Sequence, residues 1–134
     1  MEPLIFDTTV WIDFLNAKVN QRSKLLSEYI SNSYPHYLCP DIVRETLQGI
    51  REDKVYEQLK PIMLSFDILV AEPLEVNIGA AEIYRGLRKK GVTIKNTSDC
   101  IIAWYAIKNK LKIVHSDSDF EKIAAHTALR TYKF

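Results

Sequence analysis

Short apolar runs alternate with helix-period segments along the whole chain, and that alternation limits the possible folds more than any other feature. The runs are Leu4-Ile5-Phe6, Tyr37-Leu38-Cys39, Phe66-Asp67-Ile68-Leu69-Val70, Leu111-Lys112-Ile113-Val114-His115 and Ala128-Leu129-Arg130-Thr131-Tyr132. Each has the length and composition of a short buried strand. Between them, Leu25, Leu26, Tyr29 and Ile30 predict a helix over 21–31, and Pro40-Asp41 suits the first turn of another. Val55, Leu59, Ile62 and Met63 predict a helix near 54–64, with a kink or break at Pro61. Val76, Ile78, Ala80, Ala81, Ile83, Tyr84 and Leu87 predict one over 74–90, closed by Gly91. Further helices are expected after Thr97-Ser98-Asp99, whose hydroxyls can cap the first turn, and over 120–125. Strands alternating with helices predict an α/β fold: a three-layer sandwich whose central, mostly parallel sheet of four or five strands is covered by helices on both faces.

A chain of 134 residues suits one domain, expected over 1–134. With 47% apolar and 26% charged residues it has the balance of a globular protein rather than a disordered one. Cys39 and Cys100 belong to no metal-type pair and are expected as buried free thiols. The N-terminus lacks the features of a secretory leader, and no apolar stretch has the length of a membrane span, so a cytoplasmic protein is expected. A net charge of +1 gives no general attraction to nucleic acid. One local cluster, Arg85, Arg88, Lys89, Lys90 and Lys95, contains no acid. It suits contact with a polyanion, and equally the C-terminal end of a helix dipole.

Four carboxylates, Asp7, Glu45, Asp99 and Asp117, follow apolar runs or sit in the first turns of predicted helices. In an open parallel sheet such positions converge at one edge, in the crevice where ligands bind. Like charges held together raise one another's pKa, and a divalent cation relieves that cost. Mg²⁺ or Mn²⁺ takes hard oxygen ligands and suits phosphodiester hydrolysis. Each acid also has a plain structural reading. Asp7 and Asp117 suit turns, Asp99 suits a helix dipole, and Glu45 suits a solvated helix face. Asp119 either supports the same site or caps the helix beginning near Phe120. His36, His115 and His126 lack zinc-type spacing, and the chain has no glycine-rich phosphate loop or nucleophile elbow. Trp11, Trp104 and Tyr105 read as core aromatics. Thr8, Ser98 and Ser116 can hold acids or phosphate without being catalytic.

These residues resemble the PIN-domain family, most closely the VapC-type toxins of toxin–antitoxin pairs. Leu4 to Leu15 resembles the family's first strand, acid and helix. Ile42 to Gly49 resembles the helix carrying the second acid, Asp99 to Ala103 the helix start carrying the third, and Val114 to Phe120 the final acidic turn. The resemblance covers essentially the whole chain. It implies a Rossmann-like parallel sheet and an endoribonuclease dependent on Mg²⁺ or Mn²⁺, together with a homodimer and a cognate antitoxin that blocks the site. It also implies Asp7, Glu45, Asp99 and Asp117 as the catalytic acids, with metal ligands drawn from Asp7, Asp99, Asp117 and Asp119. Which of Asp117 and Asp119 faces the metal stays open at this level. Arg85, Arg88 and Lys95 are candidate contacts to the RNA backbone. Two other readings use the same acids: an inactive PIN-like binding module or scaffold, and a phosphoacceptor domain built around Asp7.

Overall fold

The computed structural model describes residues 1–134. Five strands, β1 (Leu4–Phe6), β2 (His36–Leu38), β3 (Asp67–Ile68), β4 (Lys112–Val114) and β5 (Arg130–Thr131), form one sheet in the order β3-β2-β1-β4-β5. Every neighbouring pair is parallel. Ile5 registers with Tyr37 on one side and with Ile113 on the other. All three residues of β1 are fully buried, as expected of a central strand covered on both faces.

Seven helices connect the strands: α1 (Thr8–Leu15), α2 (Gln21–Ser31), α3 (Pro40–Gln48), α4 (Asp53–Leu64), α5 (Pro73–Lys89), α6 (Ser98–Lys108) and α7 (Ser118–His126). They pack in two groups, α1 with α2 and α3, and α5 with α6 and α7. The reversal of strand order, with the right-handed crossover usual for parallel strands, accounts for this division. The chain moves outward from β1 through β2 to β3, then crosses back past β1 to β4 and β5. The reversal makes the carboxyl ends of β1 and β4 the switch point of the sheet, where open α/β folds place ligands.

Several sequence expectations shift at element ends. Helix α4 continues through Pro61 without a break. Pro61 lies on the solvent side of α4, as does Glu57, whose carbonyl loses its helical donor to the proline and is left to water. The third strand is shorter than its apolar run: Leu69 still donates to the Leu38 carbonyl at 2.8 Å, but Val70 is exposed as the chain leaves the sheet edge for α5. Thr97 opens α6 without a side-chain cap, and Asn96 Oδ1 instead accepts from the Ser98 amide at 3.0 Å. Gly91 follows α5 with φ of +77°, the left-handed conformation that ends helices. Both cysteines are buried free thiols, and burial pushes Cys39 up to about 12.

Gly79 of α5 marks a close approach between α5 and α6. A Cβ there would overlap the Trp104 indole. Replacing Gly79 with alanine is therefore expected to cost about 1–3 kcal/mol in overpacking, more than the roughly 1 kcal/mol gained in helix propensity. The urea unfolding midpoint should fall, and an unchanged or raised midpoint would show that the indole yields freely.

Candidate active site

The switch point gathers five acids from four separate places in the chain. Asp7 follows β1 directly, and its amide donates to the Val114 carbonyl at 3.0 Å, tying the start of α1 to the end of β4. Asp117 opens α7 just beyond β4, and Asp119 lies in the first turn of that helix. Asp99 lies in the first turn of α6, and Glu45 projects from the middle of α3. Carboxylate oxygens of Asp99, Asp117 and Asp119 come within 4.8 Å of one another. Asp7 and Glu45 are close enough for their charges to act on Asp99, and Glu45 also acts on Asp7.

Neighbouring polar groups hold the acids in place. Thr8 Oγ1 donates to Glu45 Oε1 at 2.9 Å, and Asn96 Nδ2 donates to the other Glu45 oxygen at 3.4 Å. Thr9 Oγ1 donates to Asp7 Oδ2 at 3.2 Å, and Ser116 Oγ lies 3.0 Å from that hydroxyl. The Asp119 amide donates to Asp117 Oδ1 at 2.9 Å, so Asp117, rather than Asp119, caps α7. Asp119 Oδ2 accepts from the Lys95 amide at 3.0 Å, while Oδ1 lies 3.4 Å from Lys122 Nζ. Glu45 is half-buried with both oxygens hydrogen-bonded, which sets it apart from a freely solvated glutamate.

Crowding and burial set the electrostatics. Asp7 and Asp99 are only 4% and 5% exposed. Burial, together with repulsion from Glu45, raises Asp7 to about 6. Burial and then the charges of Asp7, Asp117, Asp119 and Glu45 raise Asp99 to about 8. Asp99 Oδ2 and Asp119 Oδ1 are buried without a hydrogen-bond partner. Partnerless oxygens on crowded carboxylates are the donor set that a hard divalent cation takes, and such a cation offsets the repulsion. The residues present fit the group.

The fold thus brings together Asp7, Glu45, Asp99, Asp117 and Asp119, while the basic cluster divides. Lys95 sits beside the acids through its amide, and Arg85 lines a groove with Thr97 and Cys100 at the start of α6. Arg88 lies 5.8 Å from the centre of the Tyr84 ring, and Lys90 lines a different groove with Trp104 and His126. Thr9, Asn96, Arg44 and Lys122 also surround the acids, although no sequence motif singles them out. Arg44 Nη2 donates to Ser98 Oγ at 3.3 Å, one residue before Asp99. The only signals for these four were adjacency to an acid or helix spacing from one.

The chain matches the PIN domain over residues 4–126. It is 30% identical over 135 residues to a VapC ribonuclease of Mycobacterium bovis and to ribonuclease VapC11 of Mycobacterium tuberculosis, in each case across 98% of both chains. Among solved structures it is similar to VapBC2 from Rickettsia felis bound to a promoter DNA fragment. There the TM-score is 0.72 at 18% identity, over 96% of each chain.

The raised acids give a prediction with a definite sign. A carboxyl whose folded pKa exceeds its unfolded value stabilises the fold below the unfolded pKa, and that contribution is lost as pH rises through the folded pKa. For Asp99 the window runs from about 4 to about 8. Asp99→Asn is therefore expected to raise the Tm of the metal-free chain near pH 8, with the difference closing near pH 4. Added Mn²⁺ should stabilise the parent chain more than the variant. Calorimetry with and without chelator checks this, and equal Mn²⁺ responses would remove Asp99 from the cation site.

Proposed function

Because the chain belongs to the PIN-domain family, we propose that it is a VapC-type endoribonuclease, the toxin of a type II toxin–antitoxin pair, hydrolysing RNA phosphodiester bonds at the acid cluster. The observation that carries this reading is the meeting of Asp7, Glu45, Asp99 and Asp117 at the switch point, with a partnerless buried oxygen among them. Full-length similarity to VapC ribonucleases supports it.

Asp7, Asp99 and Asp117 would hold Mg²⁺ or Mn²⁺. When bound, that ion supplies Lewis-acid polarisation of the phosphoryl oxygen and an activated water. Asp119 has one oxygen committed to the Lys95 amide, which braces the turn, while its other oxygen, beside Lys122 and within 4.8 Å of the Asp99 and Asp117 carboxylates, is a further ligand available to the ion. Glu45 is steadied by Thr8 and Asn96, yet remains half-exposed, the placement suited to orienting the attacking water and accepting its proton. Thr9 keeps Asp7 Oδ2 in place beside the cluster.

Arg85 and Lys95 flank the site and suit the phosphates of a bound strand, and Arg88 lies one helical turn beyond Arg85. The cytoplasm is the expected compartment for this activity. A cognate antitoxin is the expected protein partner, in keeping with the Rickettsia felis VapBC2 complex, and a homodimer is the expected assembly.

Asp7→Asn should abolish EDTA-sensitive RNA cleavage while leaving the circular dichroism spectrum unchanged. Glu45→Gln is expected to lower kcat by roughly 10²–10⁴-fold, with Mn²⁺ affinity kept. Wild-type cleavage by cleanly purified Asp7→Asn would overturn the assignment. A parent chain with neither Mn²⁺ binding nor chelator-sensitive cleavage would instead be an inactive binding module.

A further inference from the structure

His115 lies between β4 and Asp117, and its carbonyl and both ring nitrogens are engaged. Its carbonyl accepts from Arg22 Nε on α2. Its Nδ1 accepts from the Asp117 amide at 3.2 Å, and its Nε2 lies 2.6 Å from Glu121 Oε2. An imidazole nitrogen that accepts an amide N–H carries no proton, so the ring proton sits on Nε2 and donates to Glu121. Glu121 is itself anchored. Its Oε1 accepts from Lys133 Nζ at 2.9 Å and from Thr131 Oγ1 at 3.3 Å. The ring packs against Phe120 with centroids 5.3 Å apart, and the side chain is only 10% exposed.

A chain of polar contacts thus runs from β5 and the C-terminal residues through Glu121 and His115 to the backbone of the acidic turn. The Asp117 amide is taken by His115, and Asp117 Oδ1 is taken by the Asp119 amide. That leaves Asp117 Oδ2 for the site. We propose that His115, held as the Nε2–H tautomer by Glu121, is a positioning residue that aims the Asp117 carboxylate into the acid cluster. The inference rests on the cation site proposed above. Hydrogen-bond partners behind a metal's ligands set ligand orientation, and losing one typically weakens metal binding or activity by about 10–100-fold.

Two measurements without RNA test this. Long-range ¹⁵N–¹H spectra of the labelled chain should show an unprotonated Nδ1 and a protonated Nε2 at His115. A ring protonated on Nδ1 overturns the proposal. Mn²⁺ affinity is then compared by calorimetric titration for the parent chain and its variants. His115→Leu should weaken binding about 10–100-fold, and His115→Asn, whose carbonyl oxygen can accept the Asp117 amide, should recover most of the loss. Glu121→Ala alters a half-exposed side chain and so keeps the test open should His115→Leu fail to fold. It should mix the tautomers and weaken Mn²⁺ binding several-fold, and unchanged tautomer and affinity would overturn the role. Asp99→Asn separates the two readings. If it too binds Mn²⁺ like the parent, the cation site fails and takes this proposal with it. If it loses Mn²⁺ while the His115 and Glu121 variants bind normally, only the positioning role fails.

Discussion

Five carboxylates share the carboxyl ends of β1 and β4, and their mutual repulsion is the constraint around which the rest of the site is organised. Asp7 and Asp99 are buried there, and burial raises both well above the ordinary aspartate value. A fold tolerates this only where the backbone leaves no other arrangement. The parallel pairing of β1 with β4 does so: Phe6 registers with Val114, so the residues after both strands emerge together. The Asp7 amide on the Val114 carbonyl then locks the two exits side by side.

Around that fixed edge, hydrogen-bond donors are placed selectively. Glu45 has donors on both oxygens, Asp7 has Thr9 on one, and Asp117 has an amide on one. Asp99 Oδ2 has none. The pattern steadies the carboxylates while leaving Asp99 Oδ2 buried and unpartnered among them. A cation completes such a set where further protein donors would fill it. The His115–Glu121 pair extends the same logic outward, linking the turn to β5 rather than leaving Asp117 on a loose loop.

Much of the architecture was legible from local pattern. Leu4-Ile5-Phe6 and the segment over 21–31 became β1 and α2 with the expected bounds, because apolar period and flanking breakers act over a few residues. Pro61 does not break α4, because proline's cost depends on whether the lost bond faces water, which a one-dimensional pattern does not contain. The third run was cut to Asp67–Ile68 because strand length at a sheet edge is set by the neighbour, here the end of β2. The acids could be picked out individually by their places after strands and at helix starts. The bonds from Thr8, Asn96 and the Lys95 amide could not, since they join residues 24 to 51 positions apart.

By itself the sequence determined the class of fold, the candidate acids and the family resemblance, because these rest on short-range periodicity and on residue types at recognisable spacings. Only the tertiary structure decided that the chain crosses back from β3 past β1 to β4, putting Asp7, Asp99 and Asp117 in one place. It alone gave Asp117 the helix cap, tied Asp119 to Lys95 and moved Lys90 to another groove. The physical reason is common to all of these. Charge repulsion, burial and hydrogen-bond geometry depend on distance through space, and strand pairing, not sequence order, sets those distances.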